Sequence, residues 1–276
     1  MKILLLGANS YVGARLYWEL SHVHEVVGTY AHASISEKLV QLDVTDKIAV
    51  ETLIAEKHPD VIVHCANNAD PRWCDAHPDE AIVLNQESTK YIVDAANVSS
   101  AKVIYISSFA ALNPNAVYSK TKYESEKMVQ QTKAGYLILR PSVILGFSPN
   151  TTNDRPFNRL LKNLDQKTEA IYDTSWKFQV TYIRHISEVI ATCIDRNIWG
   201  YTIPITVAGL KTRYDTARDI LSPFGILVTP VDKHDTLPLT VDNLQTLSEL
   251  GLPQYSYEQM ITAIIDEIKH RERYVL

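Results

Sequence analysis

The chain has 276 residues, of which 46% are hydrophobic and 21% charged, and its formal net charge is −5 at pH 7. This length and apolar content suffice for a packed core without disulfides, and the negative charge and scattered Lys and Arg residues argue against nucleic acid and membrane surfaces as partners. No apolar run reaches the length of a membrane span. Three irregularly spaced cysteines fit a reducing compartment, so we expect a cytoplasmic protein, and the Cys and His spacing matches no metal site.

The first half of the chain alternates short apolar runs with longer amphipathic stretches. The predicted strands cover residues 3–6, 25–30, 40–42, 61–65, 102–107 and 136–140. The helices between them end near residues 20 and 57, with Thr45 capping the second, and then cover 78–96 and 117–131. Buried strands that alternate with helices predict an α/β fold with a parallel sheet covered on both faces, and right-handed crossovers make it doubly wound.

Beyond residue 145 the alternation gives way to a polar loop that contains Pro149. Helices are predicted at 157–163, 186–196, 213–221, 241–250 and 257–269, and one strand at 179–182. We therefore predict two domains, at 1–145 and 146–276, in which the second is a smaller C-terminal lobe partly interleaved with the first.

The segment between the first predicted strand and its helix reads Gly7-Ala8-Asn9-Ser10-Tyr11-Val12-Gly13. Gly7 permits a tight turn and Gly13 lets the helix pack closely on the strand, so that free amides at the positive helix N-terminus face a diphosphate. This context predicts an NAD(P)-binding Rossmann domain at 1–145. Ser10 stands where a middle glycine is usual, and its side chain either crowds the diphosphate or donates a hydrogen bond to it.

The second predicted strand lacks the carboxylate that would bind a ribose 2′-hydroxyl, because it continues as Tyr30-Ala31-His32-Ala33-Ser34. Without a carboxylate a 2′-phosphate is not repelled, and His32 or Ser34 is available to donate a hydrogen bond to it. We therefore predict that NADP(H) is preferred over NAD(H), with a merely solvated His32 as the alternative.

Tyr118 and Lys122 lie four residues apart near the start of a predicted helix and so project from one face. An ammonium beside a phenol lowers the pKa of the phenol, which would prepare Tyr118 to exchange a proton with a carbonyl oxygen. Ser108, at the C-terminal end of a strand, is placed to hydrogen-bond the same oxygen. Tyr123 and Lys127 repeat the spacing, but helical rotation turns them away, and we assign them to the solvent face.

A series of motifs runs in order along the chain: GANSYVG, LDVTD, PDVIVHCAN, WCDAHPDEAIVLN, VIYISS, VYSKTKYESEK, LRPSVILG and LTVDNLQTLSELGL. The set resembles the extended short-chain dehydrogenase/reductases of the NAD-dependent epimerase/dehydratase superfamily. Within that family it is similar to the dTDP-4-dehydrorhamnose reductase group. Where that group commonly has Thr-Asp-Tyr-Val-Phe, this chain has Ser108-Phe109-Ala110-Ala111-Leu112, so the sugar pocket is expected to differ.

The resemblance implies a role for each matching position. The implied cofactor contacts are Gly7, Asn9, Ser10, Tyr11, Val12 and Gly13 at the diphosphate, Asp43 and Val44 at the adenine, and Cys65, Ala66 and Asn67 at the nicotinamide ribose. Asn85 would brace the site, Pro141 would lie near the carboxamide, and Ser107 or Ser108, of which we prefer Ser108, would join Tyr118 and Lys122 in a catalytic triad. Because arginine pairs with phosphate, substrate-diphosphate ligands are also expected from Arg155, Asn158 and Arg159, with surface solubility as the alternative.

These roles imply an NADPH-dependent reductase of a 4-keto-6-deoxy nucleotide sugar, in which hydride goes to the keto carbon and Tyr118 donates the proton. The lobe at 146–276 would bind the sugar substrate. Two alternatives stay open: a nucleotide-sugar epimerase or dehydratase with bound NAD, and a non-catalytic NADP-binding regulatory subunit such as that of methionine adenosyltransferase. No metal is implied, and a homodimer is left open.

Overall fold

The computed structural model describes residues 1–235 and 242–276. Its strands are β1 (Lys2–Leu6), β2 (Glu25–Tyr30), β3 (Val40–Gln41), β4 (Val61–His64), β5 (Lys102–Ile106), β6 (Tyr136–Pro141), β7 (Val143–Leu145), β8 (Ala170–Asp173), β9 (Lys177–Phe178), β10 (Val180–Tyr182), β11 (Tyr201–Ile205), β12 (Lys211–Thr212) and β13 (Val228–Val231). Its α-helices are α1 (Tyr11–Leu20), α2 (Lys47–Lys57), α3 (Pro71–Ala76), α4 (Pro78–Ile82), α5 (Ser88–Ser99), α6 (Val117–Val129), α7 (Pro156–Gln166), α8 (Ile183–Asp195), α9 (Arg213–Leu221), α10 (Gln245–Glu249) and α11 (Tyr257–Lys269).

Seven parallel strands form the central sheet, in the order β3-β2-β1-β4-β5-β6-β11. Strands β1, β4 and β5 are apolar and buried along most of their length, as expected where helices cover both faces of a parallel sheet. The strand order reverses between β1 and β4, so the loops that follow these two strands diverge and leave a crevice at the carboxyl ends of the strands. The predicted doubly wound Rossmann fold is confirmed.

The seventh strand, β11, was not predicted and pairs with β6 at the edge of the sheet. It contains Pro204, which has no amide hydrogen and is tolerated in sheets mainly at edges. Residues on both sides of position 145 therefore contribute to one sheet. The rest of the second half is built from the parallel pairs β7–β10 and β8–β13, the antiparallel pair β9–β12 and the helices around them.

Two predicted helix boundaries need correction. Thr45 does not cap α2; the cap is Asp46, whose carboxylate accepts from the Ala49 amide, while the Thr45 hydroxyl donates to Asp43. The predicted helix 241–250 and the motif LTVDNLQTLSELGL begin outside the described residues, and within them α10 starts at Gln245. Among the helices that the structure describes, none is long and apolar enough to cross a membrane.

The predicted single helix at 78–96 is interrupted by a π-helical turn, Val83–Glu87, between α4 and α5. A π turn shifts the helical hydrogen-bond register, and such turns recur at functional sites. Here the Asn85 carbonyl accepts hydrogen bonds from the hydroxyls of Thr89, at 3.1 Å, and of Ser125 on α6, at 2.8 Å. The turn therefore joins α5 to α6 and fixes the position of Asn85, whose side chain is buried.

A buried ion pair connects α1 to the C-terminal helix α11. The Arg15 guanidinium lies 2.7 Å from the Glu267 carboxylate, and the two side chains are 1% and 4% exposed. Glu267 also accepts hydrogen bonds from the Tyr182 hydroxyl, at 2.7 Å, and the Phe147 amide, at 2.8 Å, while Arg15 donates to the Phe147 carbonyl. Because its partners come from four elements of the chain, this cluster holds the second half of the protein against α1.

Candidate active site

The turn between β1 and α1 packs tightly against the loop that follows β4. Gly7 has a φ of +84°, and a Cβ atom on it would lie 2.8 Å from the Ala66 backbone. A Cβ atom on Gly13 would lie only 2.1 Å from the Gly7 carbonyl oxygen. Both positions therefore require glycine, the first for its conformation as well as for space.

The N-terminus of α1 has backbone amides and a hydroxyl that are available to a ligand. The Ser10 hydroxyl accepts a hydrogen bond from the Gly13 amide at 2.9 Å, which makes Ser10 the N-cap and leaves its own proton available to a ligand. Within the described residues the amides of Tyr11 and Val12 have no hydrogen-bond acceptor. Free amides at the positive end of a helix suit the diphosphate of a dinucleotide.

The segment leading from β7 to α7, residues 146–155, is hydrogen-bonded to this turn. The Tyr11 hydroxyl donates to the Gly146 carbonyl, the Ser148 hydroxyl donates to the Tyr11 carbonyl at 2.6 Å, and the Asn150 side chain donates to the Asn9 carbonyl. The phenol of Tyr11 is therefore used within the protein, and only the backbone of that residue faces a ligand.

The region after β2 contains the candidate groups for the adenosine end of the cofactor. His32 is exposed, whereas the Ser34 hydroxyl donates to the Ser36 carbonyl. Hydrogen bonds from Thr45 lower the pKa of the exposed Asp43, and His32 is close enough to contribute to that lowering. Val44 beside it is buried. A cavity of about 360 Å³ opens here and is bordered by Tyr30, Ser34, Ile35, Ser36, Glu37 and Leu39, of which the Glu37 carboxylate was not foreseen from the sequence.

The loop after β4 is held by Asn85, which faces it from the π turn. The Asn85 side chain accepts from the Asn68 amide at 2.8 Å and donates to the Asn68 carbonyl at 2.9 Å. Asn67 in turn donates to the Cys65 carbonyl at 3.0 Å, and Ala66 packs against Gly7. Hydrogen bonds therefore hold residues 65–68 as a ledge beside the turn between β1 and α1.

The two candidate serines after β5 have different surroundings. Ser107 is buried and donates to Glu126 at 2.5 Å, and Glu126 also forms a bidentate ion pair with Arg140 at 2.6 and 2.9 Å. Ser108 instead lies close enough to Tyr118 to lower the pKa of its phenol, and its hydroxyl accepts from the Ala110 amide at 3.2 Å. Of the two hydroxyls, that of Ser108 is the one next to the candidate proton donor. Pro141, at the end of β6, is buried one strand further along the sheet.

The pKa of Tyr118 is raised by burial, against the opposing effects of the Ser108 hydrogen bond and the positive charge of Arg155. The expectation that Lys122 lowers this pKa is therefore wrong for this structure. The Lys122 ammonium points instead to the end of β5, where it donates to the Ile106 carbonyl at 2.8 Å. Burial lowers the pKa of Lys122 to about 7.

The second tyrosine–lysine pair on α6 is on the outside of the protein. Tyr123 is 38% exposed, and the Lys127 ammonium lies 4.4 Å from its ring centre and 2.8 Å from Glu124. This pair faces solvent, as the helical rotation predicts.

The three candidate substrate ligands at the start of α7 differ in availability. Arg155 is partly exposed, acts on the pKa of Tyr118, and has no ion-pair partner in the described parts of the chain. Arg159 is paired with Asp154 at 2.6 and 2.7 Å. Asn158 is buried and donates to the carbonyls of residues 150 and 153, so its amide group has a structural role.

Two further residues near α7 were missed by the sequence analysis. Arg213 stacks its guanidinium 5.3 Å from the ring centre of Trp176, and burial together with the charge of Arg159 lowers the pKa of Arg213. Neighbouring cations attract an anion, which suits a phosphate-bearing substrate. A helix-initial arginine carries no sequence signal that separates it from an ordinary surface charge.

A cavity larger than the one after β2 lies elsewhere. It measures about 690 Å³ and lies between the outer face of α7 and Arg271. Its lining includes Arg159 but none of Ser108, Tyr118 and Lys122. We locate the candidate active site by its titratable groups rather than by volume.

Comparison with known proteins adds a family and a fold. Residues 1–241 match the family model described as the RmlD substrate binding domain. The rat methionine adenosyltransferase 2 subunit beta is 32% identical over 248 residues, which cover 82% of this chain and 72% of the rat protein. The match to the bovine form spans 47% of that protein's length.

Two dTDP-4-dehydrorhamnose reductases are also similar. That of Escherichia coli (strain K12) is 24% identical over 267 residues, covering 92% of this chain and 85% of the enzyme. The crystal structure of the one from Bacillus anthracis, in complex with NADP, superposes with a TM-score of 0.82 and covers 96% of this chain and 99% of that one. At 20% identity this likeness establishes a shared fold.

Proposed function

Since this chain belongs to the RmlD substrate binding domain family of extended short-chain dehydrogenase/reductases, we propose that it is an NADPH-dependent reductase of a 4-keto-6-deoxy nucleotide sugar. The observation that carries the proposal is the surroundings of Tyr118, a half-buried residue whose pKa is raised by burial, against the lowering effects of the neighbouring Ser108 and Arg155. A proton donor next to an anion-binding cation is what reduction of a carbonyl on a phosphorylated sugar requires.

The residues present fit a dinucleotide. The free amides of Tyr11 and Val12 and the Ser10 hydroxyl would bind the diphosphate, and the ledge at residues 65–68 would support the nicotinamide ribose. The exposed His32 supports NADP over NAD, because an imidazole is able to bond a 2′-phosphate, although the Glu37 carboxylate nearby opposes this effect. When bound, the reduced nicotinamide supplies the hydride.

The raised pKa of Tyr118 suits the direction of reduction. A phenol with a raised pKa is protonated at neutral pH and is therefore ready to donate its proton to the alkoxide that forms at the keto carbon. The Ser108 hydroxyl would hydrogen-bond the same oxygen. On the substrate side, Arg155 and Arg213 would bind the diphosphate, with Arg159 available once it releases Asp154.

The test is a direct assay, without coupling enzymes, that follows NADPH absorbance with a panel of 4-keto-6-deoxy nucleotide sugars. We expect oxidation of NADPH with at least one of them, its loss in Tyr118→Phe, and its retention in the matched control Tyr123→Phe. No oxidation with any sugar, or equal activity of both variants, contradicts the proposal. Net consumption of NADPH also separates a reductase from an epimerase or dehydratase, which would return the cofactor unchanged.

A second candidate is favoured by the methionine adenosyltransferase relatives, which share the highest sequence identity with this chain among those described above. In that case the chain would be a non-catalytic NADP-binding regulatory subunit. It would then bind NADP, reduce no keto sugar, and change the kinetics of a methionine adenosyltransferase catalytic subunit added to it. Size-exclusion chromatography of the two proteins together, and of this chain alone, distinguishes such a complex from the homodimer that we propose for a reductase. Three buried free cysteines support a cytoplasmic location.

A further inference from the structure

The Lys122 ammonium is buried against the face of an aromatic ring. Its side chain is 1% exposed, and the nitrogen lies 4.6 Å from the centre of the Tyr105 ring. Tyr105 belongs to β5, and the Ile106 carbonyl that accepts from Lys122 is the next residue. A cation over an aromatic face is attracted by the ring quadrupole, and more strongly where water is excluded.

Among the described residues, no carboxylate forms an ion pair with the Lys122 ammonium. The Glu126 carboxylate acts on the pKa of Lys122, but it already pairs with Arg140 and accepts from Ser107. The remaining titratable groups around the ammonium come from three other elements: His64 and Cys65 on β4 and beside it, Cys74 on α3, and Tyr105 on β5.

These neighbours are uncharged at neutral pH. Burial lowers the pKa of His64 to about 3 and raises the pKa of Cys65 to about 12. Burial also raises the pKa values of Cys74 and Tyr105. The ring face and one backbone carbonyl are therefore what holds the ammonium in place.

We propose that Tyr105 is a positioning residue that holds the Lys122 ammonium through its ring face, not through its hydroxyl, at the ledge where the nicotinamide ribose would bind. The hydroxyl supports this division of roles, because it is buried and has no hydrogen-bond partner of good geometry in the described structure. Removal of an unpaired buried hydroxyl leaves packing intact, whereas removal of the ring leaves the ammonium with the carbonyl alone. The inference rests on the proposed reductase function only for its kinetic consequence.

The direct test is an NMR titration of Lys122 in protein labelled with ¹³C-lysine, with the resonance assigned by its loss in Lys122→Arg. We expect Tyr105→Phe to titrate as the parent does, because the ring face is kept. Tyr105→Leu should titrate about one pH unit lower, because the neutral amine is favoured once the ring is gone. Equal titration of the Phe and Leu variants overturns the proposal.

A second variant tests the same role if Tyr105→Leu does not fold. A trifluorinated phenylalanine at position 105 keeps the shape of the ring but withdraws electrons from its face, so it should lower the Lys122 titration in the same direction. An unchanged titration in that folded variant refutes the role of the ring face.

The kinetic readout is the pH profile of kcat/KM for reduction. If the ammonium is the active form, the alkaline limb moves down by about one pH unit in Tyr105→Leu. A purely structural role for Tyr105 would lower activity without moving this limb. If the NMR titration shifts but the parent oxidises no NADPH, the reductase proposal fails while the positioning role stands.

Discussion

The Arg15–Glu267 pair allows the sharpest prediction about stability. In Glu267→Leu, Arg15 keeps Glu19 at 2.8 Å and the Phe147 carbonyl at 2.7 Å, but it loses its fully buried counterion. The hydroxyl of Tyr182 and the Phe147 amide lose their acceptor as well. Breaking a buried pair from one side costs about 3–5 kcal/mol, and we expect Glu267→Leu to lower the free energy of unfolding by about that amount.

This loss is large beside a typical domain stability of about 5–15 kcal/mol. Urea unfolding followed by circular dichroism measures it, with Asp94→Ala as the control. Asp94 forms an equally short ion pair with Lys90, at 2.6 Å, but both side chains are solvated, so we expect no measurable change. Replacing both buried partners, in Arg15→Met with Glu267→Leu, should recover part of the loss, because no unpaired charge stays buried although Tyr182 and Phe147 still lack their partners. A double variant that is no more stable than Glu267→Leu alone would contradict this expectation.

The other predictions concern the candidate site. Burial lowers the pKa of Lys122 to about 7, from 10.5 in an unfolded chain. Between these two pH values the unfolded chain binds one more proton than the folded protein, so the free energy of unfolding should rise with pH over this range. Urea unfolding at several pH values should show a smaller rise in Lys122→Met than in the parent. Ser10→Ala should lower stability by about 1 kcal/mol and weaken NADP(H) binding, measured by thermal unfolding and calorimetry, because the cap on Gly13 is lost. His32→Ala should weaken NADP(H) binding but not NAD(H) binding, and an equal effect on both removes His32 from the 2′-phosphate site. Asn85→Ala should raise KM for the cofactor and lower kcat/KM by about tenfold or more, because the two hydrogen bonds from the Asn85 side chain to the Asn68 backbone are lost. Unchanged kinetics would show that these bonds are not needed to position residues 65–68.

The parts of the fold that were predictable are those that local patterns determine. The buried strands β1, β4 and β5 follow from unbroken apolar runs, and the tight turn between β1 and α1 follows from two glycines at a strand–helix junction. By contrast, β11 carries a proline and forms only because β6 has a free edge beside it. The π turn is stabilised by Ser125, which lies 40 residues from Asn85, so no window of sequence around residue 85 contains its cause.

The membership of the candidate site stays a prediction, and the electrostatics of its residues could not be read from the sequence. The spacing of Tyr118 and Lys122 indicates a shared helix face, yet the pKa of each depends on burial by other elements. Depth of burial is a property of the whole fold, which is why a lowered pKa was expected for Tyr118 and a raised one was found. For the same reason Arg213 and Trp176 became candidates only when their stacking was seen.

The bonds between the turn after β1 and the segment 146–155 restrict how the protein moves. Hydrogen bonds join Tyr11 and Asn9 to Gly146, Ser148 and Asn150, so bending the chain at the start of this segment would break all of them at once. Hinges are normally short stretches that absorb rotation without such losses. The coenzyme and the substrate would therefore meet on one rigid frame, with the gap between donor and acceptor atoms set in advance. Substitutions on the exposed side of α7 would then change surface groups without disturbing that alignment.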